Sequence, residues 1–124
     1  MSAFAEVHSI PRKRIWEGVV ARFVEGEQLT VAVVELEPSG LVPEHQHANE
    51  QAGVVLEGSV RMTVGEESAE LGPGGTYRIP SEVQHTLTAG PEGAVVVDIF
   101  APRREDWSAL EALSDAPPRW PPRR

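Results

Sequence analysis

The chain has 124 residues, with 19 acidic and 11 basic side chains, and its length predicts a single domain. The net charge of −8 argues against nucleic acid as the main partner, and the absence of cysteine excludes a disulfide framework and a thiolate metal site. The sequence has no apolar run near the ~20 residues that span a bilayer and no signal-peptide pattern, so we expect a cytoplasmic protein without a membrane partner.

The first predicted elements are an arm and two β-strands. Residues 1–14 have a mixed composition and form the arm, with His8 expected on its surface. Residues 19–24 and 29–36 are apolar and rich in valine, with a turn expected at 25–27. The second strand has β-branched residues on both faces, which predicts that both of its faces are covered.

Two histidines follow, and they stand one residue apart. Alternate side chains of an extended segment point the same way, so His45 and His47 can direct both imidazoles at one point. Together with His85 and the side-chain carbonyl of Gln51, they would suit a divalent first-row metal such as Zn, Mn, Ni, Fe or Co. Glu50 is the rival ligand, although it should point away from Gln51. Two histidines with this spacing also occur as polar residues on a wet strand face, so that alternative stays open.

The remaining strands are predicted from alternation and from valine-rich runs, at residues 51–56, 59–64, 68–71, 76–79, 85–88 and 94–100. Turns are expected at 57–58 and 90–93, so that each strand is short. Regular short strands of this kind predict an all-β barrel or sandwich. A small barrel has one interior, so the apolar residues on both faces of 29–36 and 94–100 predict a homodimer.

The pattern changes after Arg104. Apolar residues recur there at a helical spacing, at Trp107, Leu110 and Leu113. Asp106 falls at the cap or in the first turn. The tail from 116 to 124 is too rich in proline for regular structure and should be extended or disordered. The predicted organisation is an arm over 1–14, a barrel over 15–103, and a helix with a Pro/Arg-rich tail over 104–124.

Two spaced motifs carry a family resemblance. Gly40-x4-His45-x-His47-x3-Gln51-x6-Gly58 is followed by Gly74-x5-Pro80-x4-His85. Together they resemble the two signature motifs of the cupin superfamily, although that family usually has Glu where Gln51 stands. The resemblance implies a double-stranded β-helix, the cupin jelly-roll barrel, with a short C-terminal helix. It also implies one divalent metal inside the barrel mouth, with the ligands His45, His47, Gln51 and His85.

A buried carboxylate is predicted in the last strand. Asp98 shares a face with Val96 and Phe100, where a carboxylate is costly to desolvate unless it is paired. One interpretation ties Asp98 to a backbone amide or an arginine. The other makes it an acid/base with a raised pKa near the metal.

The segment Asp98-Ile99-Phe100-Ala101-Pro102-Arg103-Arg104-Glu105-Asp106-Trp107 favours the second interpretation. It resembles the C-terminal signature, Asp-x-Phe-x-Pro-x-Arg-Glu-Asp-aromatic, of the pectin-degradation cupins known as the KdgF family. The resemblance implies conversion of unsaturated uronates to linear keto sugars by enol–keto tautomerisation and ring opening. Asp98 would then be the acid/base, and Arg104 would bind the sugar carboxylate. A surface ion pair of Arg104 with Glu105 or Asp106 is the alternative, and a non-catalytic sugar-binding cupin or a metal-dependent dioxygenase are the alternative functions.

Overall fold

The computed structural model describes residues 2–122, most of which lie in β-strands. The strands are β1 (Lys13–Trp16), β2 (Val19–Glu25), β3 (Thr30–Leu36), β4 (Leu41–His45), β5 (Glu50–Val64), β6 (Glu67–Leu71), β7 (Thr76–Ile79) and β8 (His85–Ala101). A 3₁₀ turn, Val7–Ser9, precedes them, and one short helix, α1 (Glu105–Ser108), follows them. The all-β prediction with a short C-terminal helix is confirmed. Met1 of the predicted arm and Arg123 and Arg124 of the predicted tail lie outside the described residues.

Strand β8 organises the sheet. The eight strands pair antiparallel in the order β1-β2-β3-β8-β5-β6, while β4 also pairs with β8 and β7 with β5. The first part of β8 pairs with β4 and with the end of β5, and its second part pairs with β3 and with the beginning of β5. One strand therefore carries both His85 and Asp98 to the same interior.

The turns predicted at 57–58 and 90–93 are wrong, because β5 and β8 run through both positions as continuous strands. Gly58 and Gly93 have φ angles of 74° and 75°, and a Cβ atom on Gly58 would overlap the backbone of Gly93. The two glycines let both strands bend where they touch, and register shifts in β5 at this point keep the pairing intact. When only the local sequence is considered, a glycine inside a strand predicts a turn.

Valine and other apolar residues fill the interior. Leu36, Val55, Val60, Val95 and Val96 are among the side chains that are almost fully buried. On the outer surface, apolar side chains such as Val24 and Ile99 remain 54% and 44% exposed. The homodimer expected from this surface stays a prediction. Among residues 2–122, no helix is long and apolar enough to cross a membrane.

The C-terminal segment is less helical than its spacing predicts. Helix α1 has a single turn. Its residue Trp107 is buried and packs against Phe23 and Phe100. The chain then extends, and Ala112 forms a bridge with Lys13 of β1. Isolated short helices are marginal in water, so pairing with a strand outweighs the helical pattern here.

The proline-rich tail is extended, and it is tied to the sheet. Arg22 donates a hydrogen bond of 2.5 Å to the carbonyl of Ala116, and the backbone N–H of Arg119 donates one of 3.0 Å to Glu35. The Arg119 side chain also lies 3.5 Å from the carboxylate of Glu57. Of the two states expected for this tail, the structure shows the extended one over residues 116–122.

Candidate metal centre

The sheet register brings the three predicted histidines together. His45 is the last residue of β4 and pairs with His85, the first residue of β8. His47 lies in the loop between β4 and β5. One potential ligand atom from each of the three side chains lies within 4.8 Å of the others. The cluster can therefore hold a metal ion.

Hydrogen bonds fix which ring nitrogen of each histidine carries the proton. In His45, His47 and His85, Nδ1 lies 2.8, 2.9 and 2.9 Å from the backbone carbonyls of Pro43, Asn49 and Val83, respectively. A carbonyl oxygen can only accept, so each Nδ1 must donate, and each Nε2 is left with its lone pair in the neutral ring. Metal-binding histidines are commonly oriented by this kind of hydrogen bond.

The protonation of the rings also suits a metal. Burial lowers the pKa of His85 to about 4, although its hydrogen bond to Val83 acts in the opposite direction. Burial likewise lowers the pKa of His47. Both imidazoles are therefore neutral at pH 7, which is the form that binds metals.

Gln51 directs its carbonyl oxygen towards this cluster. Its Nε2 donates a hydrogen bond of 3.0 Å to Asp98 Oδ1, and its Oε1 lies 3.1 Å from His47 Nε2. With Nδ1 of His47 protonated, both of these facing atoms are acceptors. In addition, His85 Nε2 is buried and has no hydrogen-bond partner among residues 2–122. A divalent cation would satisfy all three atoms, so the donor set fits a metal, whereas Glu50 is exposed as expected.

Asp98 has a partner that the sequence did not reveal. The hydroxyl of Tyr77 donates a hydrogen bond of 2.5 Å to Asp98 Oδ1, the same oxygen that accepts from Gln51. Burial raises the pKa of Asp98, while the hydrogen bonds from Tyr77 and Gln51 and the charge of Arg104 oppose that rise. Burial and the nearby carboxylate raise the pKa of Tyr77 further above its usual value. Asp98 is therefore a desolvated carboxylate held by two side-chain donors.

A glycine makes room for the Tyr77–Asp98 contact. In β5, Gly53 is the register partner of Tyr77 on one side and of Asp98 on the other. A Cβ atom there would overlap the Tyr77 ring and lie 2.6 Å from Asp98 Oδ1. In the sequence, the feature that could have indicated Tyr77 is Gly53, because a glycine inside a strand pattern often marks the close approach of other groups. The identity of those groups depends on strand register, which the local pattern does not contain.

Arg104 forms the ion pair that was the alternative to its binding role. Its Nε and Nη2 donate to the carboxylate of Asp106 at 3.1 and 2.9 Å, whereas Glu105 pairs with Arg103 at 3.4 Å. The guanidinium lies over the rings of Phe100 and Trp107, at 4.9 and 4.5 Å from their centroids. This pair lowers the pKa of Asp106. The contacts leave the Nη1 edge of the guanidinium free of ion pairs among the described residues.

Comparison with known proteins identifies the family. A family model for the cupin domain matches residues 32–100 of the 124. The chain belongs to the cupin family. KdgF from Halomonas sp. has a similar structure, with 24% identity, a TM-score of 0.78, and coverage of 86% of this chain and 98% of that one.

Two other solved structures are also similar. An RmlC-like cupin from Shewanella frigidimarina has 22% identity and a TM-score of 0.79, and the match covers 86% of this chain and 96% of that one. The polyketide cyclase RemF from Streptomyces resistomycificus has 22% identity and a TM-score of 0.72, with coverage of 82% and 80%. At these identities the likeness shows the cupin jelly-roll fold alone. No curated protein matches the chain significantly.

The pocket of this cupin is lined by His45 and His85 of the histidine cluster and by Asp98 and Arg104. Its cavity volume is ≈ 60 Å³, it opens to solvent, and the rest of its wall is largely apolar. Trp16 lies at this wall, with its ring 5.4 Å from that of His45. A pocket with an apolar wall and a few converging polar groups is typical of a small-molecule site.

Proposed function

We propose that this cupin holds a divalent metal and isomerises unsaturated uronates to linear keto sugars. The metal donors would be His45, His47, His85 and Gln51. The observation that supports this best is the buried carboxylate of Asp98, which shares a pocket with three of those donors, His45, His85 and Gln51, and with Arg104. The segment that carries Asp98 and Arg104 is also the one that resembles the KdgF signature.

The proposed reaction is a net isomerisation. A ring-form unsaturated uronate is a cyclic enol ether with a hemiacetal carbon. Opening the hemiacetal moves its hydroxyl proton to the former ring oxygen and gives an aldehyde and an enol. The enol becomes a ketone when its hydroxyl oxygen, the former ring oxygen, loses its proton and the other carbon of the enol double bond gains one. Atoms and electrons balance without an oxidant, so the site needs only to bind, orient and move protons.

Asp98 is suited to move the proton. Its Oδ1 accepts from Tyr77 and Gln51, whereas no hydrogen bond reaches Oδ2 from any residue in 2–122. Oδ2 would therefore exchange a proton with the substrate while Oδ1 keeps the carboxylate in place. Burial raises the pKa of Asp98, and a raised pKa favours general acid–base catalysis by a carboxylate. A metal at the histidine cluster would act as a Lewis acid that polarises substrate oxygens.

Arg104 would bind the substrate carboxylate from the rim of the pocket. Its backbone N–H donates a hydrogen bond of 2.9 Å to Thr30, and its guanidinium is fixed by Asp106 and by two aromatic rings. Arginine retains N–H groups beyond the two that Asp106 accepts, and its planar fork matches a carboxylate. A substrate carboxylate would either use the free edge or displace Asp106.

The proposal is tested by turnover of an unsaturated uronate. Protein loaded with Zn²⁺ or Mn²⁺ should remove the ultraviolet absorbance of the alkene conjugated to the carboxylate. The linear keto sugar should appear by NMR, and oxygen should not be consumed. His8→Ala is a suitable control, because His8 is exposed and lies in the 3₁₀ turn away from the cluster.

Two other results would each replace the proposal. Binding of the sugar without turnover would indicate a non-catalytic binding cupin. Oxygen consumption with a different small molecule, observed only with a redox-active metal, would indicate a dioxygenase.

A further inference from the structure

A chain of side-chain hydrogen bonds links Tyr77 to the metal donors. Tyr77 donates to Asp98 at 2.5 Å, Gln51 donates to the same Asp98 oxygen at 3.0 Å, and the Gln51 carbonyl oxygen lies 3.1 Å from His47 Nε2. We propose that Tyr77 is a positioning residue, which acts through Asp98 to set the orientation of the Gln51 amide at the metal site. This inference rests on the proposed metal centre and not on the uronate reaction.

The need for positioning follows from the amide itself. A primary amide can adopt two orientations that differ by a half turn about the bond to the amide carbon. The half turn interchanges the carbonyl oxygen, which accepts hydrogen bonds, and the NH₂ group, which donates two. Only one orientation presents an oxygen to the histidine cluster as a ligand. Asp98 Oδ1 accepts from the Tyr77 hydroxyl and presents the same acceptor to Gln51, so Asp98 selects the orientation in which Gln51 Nε2 faces it. A glutamate at this position would have two equivalent oxygens and would need no such selection.

Tyr77 and Gly53 together hold Asp98 where it can make this selection. Apart from Gln51, Tyr77 is the only hydrogen-bond donor to the Asp98 carboxylate among residues 2–122. Gly53 leaves the space in which the Tyr77 ring reaches Asp98, because a Cβ atom there would overlap both side chains. Replacing Tyr77 with Phe removes this donor from a buried carboxylate and keeps the ring. The carboxylate then has more freedom to move, and the amide that it orients becomes less constrained.

The first measurement reads the Gln51 amide directly by NMR, on the full chain without metal or substrate. Its side-chain amide signal can be assigned as the one absent from Gln51→Glu, and the exposed Gln28 gives an internal reference. In Tyr77→Phe, we expect these protons to exchange with water roughly 5-fold faster, as for the loss of one net hydrogen bond. Unchanged exchange would overturn the proposal, even if the protein binds metal.

The second measurement is Zn²⁺ affinity by chelator competition. Tyr77→Phe should bind Zn²⁺ about 10-fold more weakly, within the range for losing an outer hydrogen-bond partner of a ligand. The matched control is Thr63→Val, which removes a hydroxyl that contacts Ser68 at 2.8 Å in the β5–β6 pair. Faster amide exchange with unchanged Zn²⁺ affinity would also overturn the proposal, because Tyr77 would then affect the Gln51 amide without affecting metal binding.

Gly53→Ala provides an independent variant. Its methyl group must displace Tyr77 or Asp98, so both measurements should change in the same direction as in Tyr77→Phe. Wild-type values in folded Gly53→Ala would contradict the inference. If the wild-type protein binds no Zn²⁺, Mn²⁺, Ni²⁺, Fe²⁺ or Co²⁺, the metal centre and this inference are both wrong. If it binds metal but turns over no uronate, only the proposed reaction is wrong.

Discussion

The two polar walls of the pocket are built differently. The inner wall consists of Gln51, Tyr77 and Asp98, where two donors converge on one oxygen of a carboxylate that is 8% exposed. The rim consists of Arg104 and Asp106, an ion pair in which the Asp106 side chain is 64% exposed. The inner wall belongs to strands of the sheet, whereas the rim belongs to the segment that follows the last strand.

This difference separates positions that suit chemistry from positions that suit binding. On the inner wall, low solvent access makes each hydrogen bond strong and makes an unpaired group costly. At the rim, the Asp106 carboxylate is exposed to solvent, so a substrate carboxylate can compete with it for the arginine at small cost. Changes on the inner wall should therefore affect the metal or the chemical step, and changes at the rim should affect binding.

The largest effect is expected from removing a metal ligand. His47→Ala should weaken metal binding by more than the roughly 10–100-fold that follows loss of an outer partner, because a direct donor is lost. The valine-rich core does not include His47, so the variant should still fold. Elemental analysis and circular dichroism would test both points. Metal content equal to that of wild type and of His8→Ala would contradict the assignment.

The next effect concerns proton transfer at Asp98. An Asn oxygen can still accept from Tyr77 and Gln51, so Asp98→Asn should keep the inner-wall geometry and lose the acid/base group. We expect turnover of an unsaturated uronate to fall ~10²–10⁴-fold, with substrate affinity little changed. Steady-state kinetics with the exposed Asp115→Asn as a control would measure this. Turnover as fast as wild type would eliminate Asp98 as the acid/base.

A smaller effect is expected at the rim. Arg104→Lys keeps the charge but loses the planar fork, so KM should rise about 10-fold while kcat changes little. Asp106→Asn removes the competing carboxylate, so it should leave KM unchanged or lower it. Kinetics on both variants would sharpen the contrast with Asp98→Asn. A fall in kcat in Arg104→Lys with unchanged KM would place Arg104 in the chemical step instead.

The smallest effect is the pH dependence of the rim ion pair. Arg104 lowers the pKa of Asp106 in the folded protein, so the pair stabilises the fold above the unfolded pKa of ~3.9. That contribution is lost as the pH falls through the lower folded pKa, where Asp106 becomes protonated. Because the Asp106 side chain is 64% exposed, we expect ~0.2–1 kcal/mol between wild type and Asp106→Asn at pH 7. Denaturant unfolding at pH 7 and at successively lower pH would show whether the difference disappears in acid.

Much of the fold could be predicted from the sequence, because strand-forming patterns are local. Alternating and valine-rich runs identified most of the strands, although not β1, and the spacing of His45 and His47 indicated two imidazoles directed at one point. The burial of Asp98 followed from its position between Val96 and Phe100, and the structure places it there. The predicted turns at 57–58 and 90–93 failed, because Gly58 and Gly93 allow a bend within a paired strand as readily as a reversal.

The sequence by itself determined most of the strands, the face on which their side chains lie, and the candidate donors, since these depend on near neighbours in the chain. Only the tertiary structure decided which groups meet across strands. Tyr77, Gly53 and Asp98 lie on three strands, and their contact follows from a register that no local pattern specifies. We infer that the orientation of the Gln51 amide depends on that contact. The hydrogen-bond partners of this metal donor therefore follow from the pairing of the strands and not from the local sequence.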